Sequence, residues 1–182
     1  MRRLNVLLTA LIIVLFLMHA VFGGLLMVGI GDEALKRIAR AAFTLIIIHA
    51  IMGIILTIDT LKVQKKTGAS YFKENKSFWA SRISGFAVLA LLFLHMTAFG
   101  YTRNKEYHLI PFTAGGLAVQ LLFVITLAVH IISNLRPQMI SLGIKSLKRA
   151  RGTLLFIISA LSLFVTAALI IYYLRWNVFS EF

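Results

Sequence analysis

Long apolar stretches constrain this chain more than any other feature of its sequence. Crossing ~30 Å of hydrocarbon takes about 20 residues of α-helix, and five stretches are long enough: about residues 4–30, 41–61, 78–101, 112–135 and 153–176. The residues are 60% hydrophobic, and the mean hydropathy is +0.92. Because the bilayer core offers no water to unpaired backbone groups, we predict an all-α integral membrane bundle of five transmembrane helices. The connections are too short for a separate soluble domain, so residues 1–182 are expected to form a single transmembrane domain.

The first stretch has two features of a signal peptide, since Arg2 and Arg3 precede an apolar run. That run is much longer than the usual apolar region of about 7–15 residues, and we expect it to be a retained first span. No cysteine occurs in the sequence. Thiolate ligands, iron–sulfur clusters, disulfides and c-type haem attachment are therefore excluded for this sequence.

The net charge of +13 would suggest nucleic-acid binding in a soluble protein, but here the positions of the charges indicate topology. Thirteen of the 19 Lys and Arg residues lie at the N-terminus and in or beside the second and fourth connections: Arg2, Arg3, Lys62, Lys65, Lys66, Lys73, Lys76, Arg82, Arg136, Lys145, Lys148, Arg149 and Arg151. The positive-inside rule then places the N-terminus in the cytoplasm and the C-terminus outside. The same charges could bind anionic membrane lipid or dock a cytoplasmic partner, and we expect no nucleic-acid partner.

Histidines are distributed one to a stretch over the first four stretches. His19, His49, His95 and His130 lie within them, whereas His108 lies in the outer connection "YTRNKEYHLIP". Ionisable groups at membrane depth are functional candidates and tend to face the bundle interior. One such residue could serve only as an interhelical hydrogen-bonding group, but four in this arrangement favour a functional site.

Bis-histidine haem b fits this set of side chains better than a zinc or di-iron centre does. Zinc and di-iron sites need several ligands at one point, often with carboxylates, and Asp59 is the only acidic residue within the stretches. Four histidines could bind two haem irons through two axial imidazoles each. Gly85 belongs to a set of glycines that would let either a macrocycle or a neighbouring helix approach the backbone, and both interpretations stay open.

The spacing along the chain does not decide which histidines share an iron. Counted from the nearest cytoplasmic basic residue at about 1.5 Å per residue, His19 and His95 have similar depths. The estimated depths of His49 and His130 agree poorly, and by depth a pair of His49 with His95 fits as well.

The sequence also resembles a known family in two segments. The third stretch contains Trp79, then Ser84, Gly85 and Phe86, and then His95 ten residues after the glycine; "LFLMHAVFGGLLMVG" resembles the first family helix around its ligand. The family is the single-chain, five-helix cytochrome b subunit of succinate:quinone oxidoreductases and fumarate reductases, the type that carries two haems. The span order and the four-histidine layout resemble it too.

The resemblance implies that His19 and His95 are the metal ligands of an outer haem b, and that His49 and His130 are those of an inner haem b. It also implies quinone or menaquinone as the substrate, and a flavoprotein and an iron–sulfur subunit as cytoplasmic partners. A quinone-site carboxylate is expected near the outer side, where Asp32 and Glu33 lie, although their offset from His19 differs from the family pattern.

The implied function is that of a non-catalytic electron-transfer subunit and membrane anchor in a bacterial or archaeal cytoplasmic membrane. Arg82, beside Trp79, could pair with a haem propionate or dock the iron–sulfur subunit, or the two could simply anchor the interface. Each ligating ring needs an acceptor for its second nitrogen, and Thr97, Thr126 and Ser133 are near in sequence. Two alternatives remain: a dihaem cytochrome b of another quinone-linked dehydrogenase or reductase, and a haem-free small transporter or assembly factor with a histidine proton relay.

Overall fold

The computed structural model describes residues 2–28, 36–68, 76–103, 106–144 and 146–179, and these form five long helices. The helices are α1 (Arg2–Met27), α2 (Lys36–Thr67), α3 (Lys76–Ala98), α4 (Ala114–Ser141) and α5 (Leu147–Asn177). All five are long and apolar enough to cross a membrane, which confirms the predicted all-α membrane bundle. The placement of the N-terminus in the cytoplasm and of the C-terminus outside stays a prediction.

The connection between α3 and α4 contains a short antiparallel hairpin. Strand β1 (Gly100–Arg103) pairs with β2 (Glu106–Leu109), and Tyr101 lies opposite His108. The structure thus places His108 outside the helices. Asp32 and Glu33, the carboxylates at the other predicted outer connection, lie outside the described residues.

Three helices, α2, α4 and α5, are longer than the apolar stretches that predict them, and α5 begins at Leu147 rather than near residue 153. Helix α2 continues through its lysines to Thr67, and α4 continues through Pro137 to Ser141. A glycine in the left-handed region follows each end, Gly68 with φ +67° and Gly143 one residue beyond Leu142 with φ +72°. Glycine accepts this conformation without a Cβ penalty and commonly terminates helices.

The helices pack as two close pairs joined by a fifth helix. Helix α1 packs along α2, and α3 packs along α4, while α5 lies against both α1 and α4. Between the two pairs, α1 meets α4 and α2 meets α3 at only a few positions. The space between the pairs is therefore lined mainly by side chains, and the histidines lie there.

The outer surface of the bundle is apolar. Phe156 is 74% exposed, Leu163 72% and Ile83 62%. Exposed apolar surface of this extent marks a molecule whose surroundings are hydrocarbon. The one cluster of buried apolar side chains among the described residues joins the end of α1, Phe112 just before α4, and the C-terminal half of α5 around Tyr172. The Tyr172 hydroxyl donates to the Ile110 carbonyl at 2.6 Å.

Candidate functional site

The first histidine pair crosses the bundle from α1 to α3. The imidazole centroids of His19 and His95 are 5.9 Å apart, and the ring planes are 79° apart. Aromatic rings flank His95, with the Phe99 centroid at 5.1 Å and the Phe123 centroid at 5.0 Å. This pair thus lies in a largely apolar, aromatic environment.

The second pair crosses from α2 to α4. The centroids of His49 and His130 are 6.4 Å apart, with the planes 77° apart. Polar groups of neighbouring helices surround this pair: Asn5, Thr9, Ser81 and Ser84 all lie within hydrogen-bonding distance of one of the two rings. The two pairs therefore differ in the polarity of their surroundings.

The two pairs lie at different depths. Ser84, which contacts His130, precedes His95 on α3 by eleven residues, or about 16 Å along the helix axis. The pairing agrees with the one that the family resemblance implies. The alternative pair of His49 with His95, which the spacing left open, is absent from the ring contacts of the described residues.

Three of the four rings make their hydrogen bonds through Nδ1. His95 Nδ1 lies 2.9 Å from Gln120 Oε1, and His49 Nδ1 lies 3.1 Å from Asn5 Oδ1. His130 Nδ1 lies 3.2 Å from the Ser81 carbonyl oxygen. For His19 no such acceptor lies among the described residues.

These contacts define the tautomer of the three rings. An amide or carbonyl oxygen can only accept, so Nδ1 must carry the proton and donate it. The lone pair then lies on Nε2, the nitrogen available to bind a metal. No hydrogen bond joins the two rings of either pair among the described contacts, so ring-to-ring hydrogen bonding does not account for their proximity.

Gly85 lies directly against the second pair. A Cβ atom built on Gly85 would be 3.1 Å from His130 Cε1 and 3.4 Å from its Nδ1. The absence of a side chain therefore makes room for the imidazole of the neighbouring helix. This observation supports the helix-approach interpretation, and the predicted contact of Gly85 with a cofactor stays a prediction.

Arg82 projects from α3 towards α2 beside the second pair. Its Cζ lies 5.0 Å from the Phe78 ring centroid, and its Nη1 lies 3.9 Å from the position of a Cβ on Gly53. Its Nε is buried with no hydrogen-bond partner within the described parts of the chain. An unsatisfied donor on a charged group in an apolar bundle is costly, and an anionic group would satisfy it.

No protein-family model matches the chain, and searches of curated proteins and of solved structures found no match. Within the described ranges, no group of three or more His, Cys, Asp and Glu side chains could hold a metal ion. The site is thus two histidine pairs, and its interpretation depends on their geometry and partners.

The hydrogen-bond acceptors of the rings were not predicted. Of the side chains near in sequence, Thr97 Oγ1 donates to the Leu94 carbonyl, and Ser133 Oγ donates to carbonyls of its own helix. The acceptors found, Gln120 and Asn5 among them, belong to other helices than the rings they bind. Gln120 could have been singled out in the sequence, since it interrupts the apolar run "GGLAVQLLF".

Proposed function

We propose that this protein is a dihaem cytochrome b subunit that anchors a succinate dehydrogenase or fumarate reductase complex to the membrane. It would carry electrons between quinone or quinol and the iron–sulfur subunit. The observation that carries the proposal is the meeting of four histidines from four helices as two cross-bundle pairs. The chain itself would transfer electrons without catalysing the reaction of succinate or fumarate.

The spacing of the rings fits a metal bound between them. Two imidazoles that would bind one ion through nitrogen–metal bonds of about 2.0 Å can have ring centroids up to about 6 Å apart. The observed centroid distances are 5.9 Å and 6.4 Å. The Nδ1 hydrogen bonds of three rings support the proposal further, because ligating histidines usually donate their second ring N–H to an oxygen acceptor.

A haem b bound by His19 and His95, and another bound by His49 and His130, would supply one-electron redox chemistry at two depths of the membrane. Asn5, Gln120 and the Ser81 carbonyl orient the rings that would hold them.

Arg82 and Gly85 would serve the inner site. The buried Nε of Arg82 has no partner among the described residues, and guanidinium pairs well with carboxylates such as the propionates of a porphyrin. Gly85 would contribute to cofactor binding indirectly, because it leaves space for the His130 ring. The half-buried position of Arg82 between α2 and α3 favours this role over interfacial anchoring.

The partners in this proposal are a flavoprotein and an iron–sulfur subunit on the cytoplasmic side of a bacterial or archaeal membrane, with quinone or menaquinone as the substrate. Exposed basic side chains at one end of the bundle support a docking face there: Lys62, Lys65, Lys66, Lys76, Arg136, Lys148, Arg149 and Arg151. Such a face complements an acidic protein surface and steers its association.

Single-histidine variants test the proposal. His95→Ala should remove one haem per chain from the dithionite-reduced minus oxidised spectrum, because the iron loses one of its two protein ligands. The measurement is haem content by pyridine haemochrome, with chain content from amino-acid analysis.

His108→Ala is the matched control, since the structure places His108 in the hairpin strand β2. It should retain the wild-type haem content. Unchanged haem content in His95→Ala, with the protein still folded, would rule out the ligand role of His95.

A further inference from the structure

Gln120 carries the most deeply buried amide side chain among the described residues. It lies on α4, is 2% exposed, and accepts a hydrogen bond from His95 Nδ1 at 2.9 Å. Placing an amide in an apolar bundle costs free energy unless it is hydrogen-bonded. Its oxygen offsets part of this cost by accepting a hydrogen bond from the imidazole N–H, and the low local dielectric strengthens that bond.

This hydrogen bond bears on the electronic character of His95. Withdrawal of the Nδ1 proton towards an oxygen raises electron density on the ring and makes Nε2 a stronger donor. A stronger donor stabilises the ferric form of a bound iron more than the ferrous form. Second-shell hydrogen bonding of this kind is one of the ways in which a protein sets the reduction potential of a haem.

We infer that Gln120 is a positioning residue that fixes the orientation and tautomer of His95 and lowers the reduction potential of the iron that His95 would bind. This inference rests on the proposed function. The acceptor of His130 is not a side chain: its Nδ1 donates to the Ser81 backbone carbonyl, which side-chain substitution does not remove.

A purely structural role for Gln120 makes a different prediction. If the side chain only fills space between α3 and α4, then any replacement that disturbs packing should loosen the site. The direction of a change in reduction potential should then not depend on whether the replacement accepts a hydrogen bond. Two variants with opposite chemistry distinguish these roles. Gln120→Leu removes the acceptor at similar size, and Gln120→Glu supplies a stronger acceptor.

The experiment is a potentiometric titration of the purified full-length protein, monitored by the haem absorbance. For Gln120→Leu we expect one of two haems to become easier to reduce, with a roughly tenfold change in its equilibrium constant, about 59 mV for one electron. Gln120→Glu should shift the same haem in the opposite direction. Gln138→Leu is the matched control: Gln138 also lies on α4, but its Nε2 donates to the Val6 carbonyl at 2.7 Å.

Unchanged potentials in both Gln120 variants, or shifts in the same direction, would overturn the inference and leave the proposed function intact. If Gln120→Leu loses haem, the reduction potential of Gln120→Glu still tests the inference: a lower potential supports it, and an unchanged or higher potential overturns it. Wild-type protein without haem would overturn the inference and the proposed function together, and the haem content of the wild type is therefore measured first.

Discussion

At the scale of single residues, Gly85 offers a direct test of the second histidine pair. In Gly85→Ala the new Cβ would lie 3.1 Å from His130 Cε1, so the ring must shift slightly, and we expect its hydrogen bond to the Ser81 carbonyl to weaken. Because loss of such supporting contacts typically costs 10–100-fold in metal affinity, we expect about tenfold weaker binding of one haem, measured by haem titration of the depleted protein. Gly23→Ala is the control, since nothing lies within 4 Å of its Cβ position. Equal affinities in the two variants would contradict the account.

The sequence predicted which helices carry the histidines better than it predicted their depths or their partners. A histidine inside an apolar stretch stands out by composition alone, and His19, His49, His95 and His130 all lie on the helices expected. Their acceptors are distant in sequence: Asn5 precedes His49 by 44 residues, and Gln120 follows His95 by 25. Contacts between helices depend on rotation and tilt, which no local pattern encodes, and the pairing therefore came from the family resemblance and not from spacing.

At the scale of helices, the contact of α1 with α5 depends on a glycine. The Phe164 ring of α5 lies over Gly24, where a Cβ would be 2.5 Å from Cε1 and 2.9 Å from Cζ. Gly24→Ile should force the ring aside and destabilise the bundle by about 1–3 kcal/mol, seen as a lower thermal midpoint by circular dichroism in detergent. Gly23→Ile, one residue earlier and facing open space, should not show this loss. Identical midpoints would indicate that α1 and α5 do not pack as described.

Helix number followed from the sequence, whereas helix ends did not. Hydropathy marks where the chain leaves the hydrocarbon, but backbone hydrogen bonding continues through the lysines of α2 to Thr67 and through Pro137 of α4. The glycines that follow these ends are local signals that hydropathy ignores. The paired strands at residues 100–103 and 106–109 were also missed, because each has only four residues and the first shows no strict alternation of apolar and polar side chains.

At the scale of the whole molecule, the basic end of the bundle is also the end nearer to one of the two histidine pairs. Ser77 on α3 donates to the Ser133 carbonyl of α4, and Gln138 donates to the Val6 carbonyl of α1, which brings the start of α1, the start of α3 and the end of α4 together. The described basic side chains in or beside the second and fourth connections lie at that end, and the His49 and His130 pair is the nearer of the two. With that end in the cytoplasm, as the positive-inside rule predicts, the inner pair would face the docked subunits.

The central claim is that the two histidine pairs hold one haem b each. The most direct measurement is the number of haems per chain in the purified protein, from pyridine haemochrome absorbance divided by chain concentration. The account predicts two haems b per chain, with no covalent attachment to the protein. One haem would contradict the assignment of all four ligands, and a folded preparation without haem would contradict the proposed function and favour a haem-free transporter or assembly factor.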